Sequence, residues 1–357
     1  MANIVTVSGS VKSVWESGYF AEYVRASQFA KLMGKGINFP FQVNTRLGGE
    51  RGTKINFPLV TRLTQAAVTG DNVMEGAEEA LNNYNHEIEI NQRRNAVRVG
   101  RMEQQKTEVD YAEAAREMLK LWSVQDLRDQ IIEKLMSAKV DGTTAYASCT
   151  EGEKDAWLAA NSDRVLFGAA KANNAANDHS ACLLNVDASN DILQPTIVSL
   201  IKRMAKQADP HIRPMMIDEQ GEWYVLLAHS YCFRDLKNHA TMVAAHDYAA
   251  ERGKGNPLFN DGDLMWDGII IKEIPEMTSI STVGAGSPAI DVAPNFLLGA
   301  QALGVAWGQK TKLTTKEFDY ENQVGVCVAE IRGVEKLMHN SIQHGMATVY
   351  CACVADT

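Results

Sequence analysis

Residues 54–60, KINFPLV, alternate Ile55, Phe57 and Leu59 against polar neighbours, which is the period of a strand, and they carry Pro58. Proline cannot donate to a ladder, so this strand belongs at a sheet edge. A second strand period follows at HEIEINQRRNAVRVG, residues 86–100, where Ile88 and Ile90 point one way and Val97 and Val99 the other. That change of parity requires a bulge or irregular turn that re-aims the face. Between the two lies an acidic, glycine-containing tip, GDNVMEGAEEALNNY. The pair reads as a hairpin of about 40 Å per limb at ~3.3 Å per residue. A two-stranded ribbon of that kind is marginal in water, so it must rest on another surface.

The glycine run that enters this hairpin, RLGGERGTK at residues 46–54, has the look of a phosphate-cradling loop. Such a loop needs the order G-x-x-x-x-G-K-[ST] between a buried strand and a helix. Here Lys54 follows Thr53, and a strand comes next, so the nucleotide reading fails. Gly48, Gly49 and Gly52 are read instead as a flexible joint, because glycine tolerates positive φ and wide backbone motion.

Residues 1–45 mix Gly, Ser and Asn with isolated aromatics and read as an arm that drapes over another surface. Within it Phe20, Tyr23, Val24, Phe29, Leu32 and Met33 stand at roughly helical spacing, which predicts a short amphipathic helix. From Thr107 the period becomes helical, with Thr107 and Asp110 in capping-box positions. Ala112, Ala115, Leu119 and Trp122 form one stripe, continued after an offset near Ser123 by Leu127, Ile131 and Leu135. A helix unbroken to Met136 is roughly 45 Å long at ~1.5 Å per residue. Residues 138–190 have little periodicity and read as loops and short helices of a peripheral insertion.

Ile197, Leu200, Ile201 and Met204 mark a helix that starts near Pro195 and ends before Asp209-Pro210. The apolar runs at 223–229 and 268–274 predict buried strands with helices between them. The segments VGVCVAEIRGVEKL and ATVYCACVA predict central strands near the C-terminus. The fold class is therefore α+β.

Composition narrows the function. The 357-residue chain is 45% hydrophobic, ample for a sizeable core, and its net charge of -9 opposes a grip on nucleic acid, which clustered Lys and Arg would drive. No secretion signal and no run of about 18 apolar residues is seen, so no membrane span is expected. Six cysteines lack CxxC pairs, and reduced, buried thiols are expected.

No motif carries a reaction. His229, Ser230, Cys232 and Asp235 suggest a nucleophile with base and orienter, yet no strained elbow presents the nucleophile. The acidic stretch 260–268 lacks the glycine and the twelfth-position glutamate of a calcium loop, and an Asp-Gly turn between strands is expected there. Cys351 and Cys353 share a strand face without a second ligand pair. The expectation is a non-enzyme without cofactor or metal. What remains is an arm, a hairpin unable to stand alone, a beam-like helix and a mixed body, parts that imply self-association.

The stretches FAKLMGK (29–35), RGTKINFPLV (51–60), VTGDNVMEGAEEALNNYNHEIEINQRR (68–94), AREMLKLWSVQDLRD (115–129), NPLFNDGDLMWDGIIIKE (256–273) and NFLLGAQAL (295–303) carry a resemblance over most of the chain. The sequence resembles the major capsid proteins of tailed bacteriophages, most of all the coat proteins of N4-like phages. The resemblance implies the coat fold shared by tailed phages and herpesviruses. Its parts would be an N-terminal arm at 1–45, an extended β-hairpin loop at 46–104, a peripheral domain with a spine helix at 105–190 and 320–357, and an axial domain at 191–319.

The resemblance further implies hexamers and pentamers of this chain in an icosahedral shell around double-stranded DNA. It implies a separate scaffolding protein, a portal and a decoration protein as partners, synthesis in the host bacterial cytoplasm, and residence in the virion. No N-terminal segment is expected to be removed or to act as a fused scaffold. Other readings are a cytosolic hydrolase using His229 and Asp235, or another virion component such as a decoration or tail-tube protein.

The residues expected at the inter-subunit interface are Phe20, Tyr23 and Phe29 of the arm, Gly48, Gly49 and Gly52 of the joint, and Ile55 and Phe57 of the first limb. Two charge blocks join them, Glu75, Glu78 and Glu79 at the tip and Arg93, Arg94 and Arg98 on the returning strand, since complementary charge sets register. The acidity of the chain carries a prediction of its own. Purified subunits should show no sequence-specific DNA complex in a mobility assay at physiological salt, and a nanomolar site-specific complex would contradict this.

Overall fold

The structure, a computed structural model, describes residues 28–48, 52–76, 78–81, 83–106, 110–216, 221–250 and 264–356. Phe20 and Tyr23 of the expected arm helix, and Gly49, lie outside these residues. The described chain begins with a 3-10 turn at Gln28–Leu32. It continues through β1 (Met33–Gly34), β2 (Phe41–Asn44), β3 (Lys54–Val60), β4 (Asn83–Glu89) and β5 (Asn91–Gly100) to α1 (Arg101–Gln105) and α2 (Tyr111–Met136). After α2 come α3 (Glu151–Ala160), β6 (Val165–Phe167), α4 (His179–Leu184), α5 (Pro195–Gln207), β7 (Met215–Met216) and β8 (Glu222–Ala228). Next are α6 (Ser230–Asn238), α7 (Ala240–Ala250), β9 (Leu264–Trp266), β10 (Ile269–Glu273) and β11 (Val292–Leu298). The chain closes with β12 (Leu303–Phe318), β13 (Gln323–Lys336), β14 (Met338–His339), β15 (Ile342–Gln343) and β16 (Met346–Ala352).

The expected helix is α2, and its start is set by Asp110, whose carboxylate accepts the backbone N–H groups of Ala112 at 2.9 Å and Glu113 at 3.1 Å. Asp110 satisfies two of the donors that every helix start leaves open. Pro195 opens α5 at the first helical turn, where its missing N–H costs nothing. Thr150 and Glu153 form a reciprocal capping box on α3, inside the stretch whose sequence shows least order. Asp267 and Gly268, with φ of 49° and 72°, make the expected turn between β9 and β10.

Two sheets organise the body. The larger runs β6-β16-β11-β8-β10-β9, with β7 beside β8. Every residue of β11 and β16 is buried, as continuous apolar runs require of strands covered on both faces. One face packs Leu226, Leu297, Ala347 and Val349 against Ile197, Ile201 and Met204 of α5 and Leu236 of α6. The other packs Val225, Leu227, Phe296 and Leu298 with Ile131, Ile132 and Leu135 of α2 and with Phe29 and Leu32 of the 3-10 turn. Phe29 meets Phe41 edge-on, ring centroids 5.6 Å apart. Phe29 is therefore a core residue of its own chain and not an inter-subunit anchor, because the C-terminal half of α2 offers it an apolar partner at home.

The second sheet runs β1-β2-β12-β13-β5. The sequence-based boundary at 319/320 falls between β12 and β13, which pair along almost their whole length, and β16 pairs with β11 in the other sheet. The boundary at 319/320 therefore cuts the β12–β13 ladder, and assigning 320–357 to one part cuts the β11–β16 ladder. The hairpin prediction holds at Pro58, since among the described residues β3 has only β4 as partner. The parity change appears as a break at Ile90, where the returning strand leaves β3 and joins β13.

The N-terminal half of α2 lies across β13, with Leu119 packed on Val326 and Val328. At the offset Ser123 donates to Glu330 at 3.4 Å, and beyond it lies a charged cluster. Arg332 is 1% exposed and donates to Gln130 at 2.8 Å, to Glu330 and to Asp126. Arg93 of β5 completes the set with two 2.6 Å bonds to Asp126. A buried charge is tolerated only when paired and hydrogen-bonded, so these groups hold α2, β13 and β5 in one register. Arg93 is thus satisfied within its own chain, which corrects its assignment to the interface. Replacing Asp126 with Ala takes the carboxylate from Arg93 and leaves Arg332 with Glu330 and Gln130, and should lower subunit stability by about 1–3 kcal/mol in urea unfolding. Arg94→Glu, one residue along β5 and exposed, should change it by no more than about 0.5 kcal/mol.

Candidate inter-subunit interface

The extended loop has a base that belongs to its own chain and a tip that does not. At the base Ile55, Phe57 and Ile88 are buried against Ala306 and Leu337. Close approach depends on glycine in the sheet below: a Cβ on Gly333 would lie 2.2 Å from the Glu89 carbonyl, and one on Gly304 2.5 Å from Ile88. Ile55 and Phe57 therefore dock the loop on its own body, contrary to their expected place at a neighbour. Glycine inside an apolar strand marks close backbone approach, and that is the sequence signal for Gly304 and Gly333.

Two of the three glycines expected to form the joint are described. Gly48 ends a 3-10 turn, Arg46–Gly48, and neither it nor Gly52 has positive φ. The conformational freedom of glycine is used at the tip, where Gly70 and Gly76 have φ of 69° and 88°.

The tip is tied together by its own acids. Glu79 accepts N–H bonds from Thr64 at 2.7 Å and Gln65 at 2.8 Å, and these bonds hold its carboxyl below the usual range. Glu78 accepts the Gly76 N–H at 2.8 Å, while Glu75 is exposed. Arg62 donates to Asp209 at 2.7 Å and clamps the outgoing limb beside the end of α5. On the returning strand, Arg98 stacks over Phe318 at 4.2 Å and Arg94 is exposed. Between and around these polar groups the loop presents bare apolar side chains: Val60, Leu63, Val73, Met74 and Leu81 are all more than half exposed. A concentration of this kind marks an interaction surface.

Beneath the base stands a cluster of imidazoles. His86 of β4 lies 6.1 Å from His339 between ring centroids, and His339 lies 5.5 Å from His344. The His86 Nε2 is 3.4 Å from a Glu335 oxygen. Burial pulls His339 down to about 4, helped by the neighbouring His344 and His86, and burial together with Arg164 does the same to His344.

The hydrolase set does not converge. Ser230 donates to Glu273 at 2.7 Å, Asp235 pairs with Arg234 at 2.8 Å, and Cys232 is fully buried. His229 caps α6, its Nδ1 accepting the Tyr231 N–H at 3.3 Å. Among the described residues no three His, Cys, Asp or Glu side chains gather in a metal-binding group.

A chain with a self-docked loop base, an apolar tip, and a long helix laid on a hairpin sheet matches the phage capsid protein profile over residues 3–355. The chain belongs to that family. It is 27% identical over 379 residues to the major capsid protein of Pseudomonas phage KPP25, covering 98% of this chain and 97% of the other. It is 33% identical to a chain of the cyanophage Pam1 capsid asymmetric unit, with full coverage of both and a TM-score of 0.92. The fold is shared with the capsid of Ralstonia phage GP4 at 21% identity, full coverage of both and a TM-score of 0.75. The coat fold and the α+β class thus stand as expected, and the protein is a structural subunit of a phage capsid shell, hence a virion component.

For this capsid protein the imidazole cluster sets a pH response. His339 and His344 have folded pKa values near 4, below the unfolded value of about 6.5, so the unfolded chain takes up protons first as pH falls. Subunit stability should therefore decline between about pH 6.5 and 4, and His339→Gln should flatten that decline in thermal melts taken across the range.

Proposed function

We infer that this capsid protein closes its shell by laying the tip of the extended loop, residues 61–82, on neighbouring copies. The observation that carries the reading is the contrast within one loop: Ile55, Phe57 and Ile88 are buried at the base, while Val73 at the tip is 74% exposed. Hexamers and pentamers of the chain enclose double-stranded DNA without reading its sequence, in keeping with the net charge of -9. A scaffolding protein, a portal and a decoration protein are proposed as partners, with synthesis in the bacterial cytoplasm. Phe20 and Tyr23 keep their proposed role as contacts between copies.

The four-part division is proposed with two changes. β12 moves to the peripheral part, because it pairs with β13, and β16 moves to the axial part, because its ladder with β11 is longer than its ladder with β6. The test of the loop reading replaces residues 63–81 by a short Gly-Ser link. Circular dichroism of the subunit should stay near wild type, since the base keeps its own core, while negative-stain microscopy should find no closed particles. Closed particles at wild-type yield would refute the docking role.

A further inference from the structure

Strands β8 and β16 both pair antiparallel with β11, so they run the same way and end on the same edge of the larger sheet. His229 is the first residue beyond β8, and Cys353 the first beyond β16. Asn295 on β11, the strand between them, is fully buried and accepts the His229 N–H at 3.0 Å. The imidazole meets the end of β16 there, with Cys353 Sγ 3.4 Å from His229 Nδ1. Cys232, in the first turn of the helix that His229 caps, lies 3.8 Å from the Ala352 carbonyl and hydrogen-bonds through its thiol to Cys353.

Three groups of the two cysteine-containing stretches thus converge where Ser230 and Asp235 do not. The thiolate is the reactive form of cysteine, and it is favoured where a donor and a base stand beside the sulfur. The hydrogen bond from Cys232, aided by the His229 imidazole, holds the Cys353 thiol below its ordinary range. Cys232, which donates that bond and is fully buried, is pushed up. Burial pushes Cys149, Cys182 and Cys351 up as well. Cys353 is therefore set apart from the other buried thiols, and it has a second thiol in contact.

The site lies close to the surface. Cys353 is 4% exposed, and Val354 to Asp356, which follow it, are exposed. Arg234 of α6 fastens these residues, donating to the Val354 carbonyl at 2.9 Å and pairing with Asp356. A sulfur one residue inside such a segment is within reach of a small reagent.

We propose that Cys353 is a peroxide-reactive thiol that closes a disulfide with Cys232 and so fastens the end of β16 to α6. His229 Nδ1 takes the Cys353 proton, and the thiolate attacks one oxygen of hydrogen peroxide. The O–O bond breaks, and the departing hydroxide takes the proton back from the imidazole as water, leaving Cys353 as the sulfenic acid. The Cys232 sulfur then attacks the sulfenic sulfur. An S–S bond forms, the S–O bond breaks, and the Cys232 proton leaves with the hydroxyl as a second water. The two thiols lose the two electrons that the peroxide gains. A reducing compartment keeps both thiols, and an oxidising medium closes the pair.

The test treats the full-length subunit, reduced and then freed of reductant, with hydrogen peroxide at neutral pH. Of the six cysteines, two should be lost to thiol titration, and peptide mapping without reductant should find Cys232 joined to Cys353. The joined chain should melt higher than the reduced one, because the bond closes a long loop in the unfolded state. In Cys232→Ser a dimedone adduct should collect on Cys353, since no second thiol resolves the sulfenic acid. His229→Asn retains a side chain suited to capping α6 and should slow the oxidation about tenfold or more. Unfolding in urea should abolish the preference for Cys353, and circular dichroism checks that each variant folds.

The proposal is overturned if peroxide leaves all thiols of the wild-type chain intact, or if other cysteines oxidise as fast as Cys353. Wild-type oxidation rates in a folded His229→Asn chain would overturn it equally. So would a preference for Cys353 that survives unfolding, because the fold would then play no part in its reactivity.

Discussion

Arg332 is the group on which the arrangement of this subunit turns. A guanidinium at 1% exposure can persist only if its hydrogens and its charge are met, and the groups that meet them come from different elements. Glu330 lies on the same strand, Asp126 and Gln130 lie on α2, and Arg93 of β5 shares Asp126. The helix is thereby fixed along the sheet by polar pairing as well as by Leu119 and Ile131. The root of the extended loop is fixed with it, because Arg93 stands three residues beyond the break at Ile90. The direction in which the loop leaves the body follows from a salt-bridge cluster about a spine helix.

The loop then divides by burial. Its base is held by a small core over Gly304, Gly308 and Gly333, where any side chain would force the strands apart. Its tip closes on itself through Glu79, Glu78 and two left-handed glycines, and it leaves its apolar residues uncovered. A rigid base with a self-shaped, unsatisfied tip suits a part that must reach a fixed place on another molecule: ordering the loop before contact reduces the entropy lost on association. The same design explains why the charges of the loop separate into roles. Those near the base serve the fold, as Arg93 does, Glu78 and Glu79 shape the tip, and Asp71 and Glu75 remain exposed.

Much of this could be read from residues alone. Alternation at Ile55, Phe57 and Leu59, the parity change after Ile90, the stripe of α2 and the apolar runs of β8, β10, β13 and β16 all report local periodicity, which depends on neighbours a few positions away. Pro58 marked an edge for the same reason, whereas the helix is capped by Asp110, three residues after the Thr107 expected to cap it. The motifs shared with tailed-phage coat proteins placed those pieces in a known order. The assignments that failed were of another kind: Phe29, Ile55, Phe57 and Arg93 were expected at a neighbour and are held at home.

The sequence by itself determined which segments are strands and helices, that the hairpin needed support, and that no site for chemistry is announced by a motif. Those properties follow from backbone periodicity, from the missing donor of proline and from the sign of the charge. Only the tertiary structure decided what provides the support. Whether a buried side chain faces its own body or another copy depends on which surface lies opposite it, and Phe57 meets Gly304 across nearly 250 positions of chain, a separation that no local pattern encodes. The meeting of His229 with Cys353 arises in the same way, from two strands that end on one edge of a sheet and bring together residues 124 positions apart in the chain.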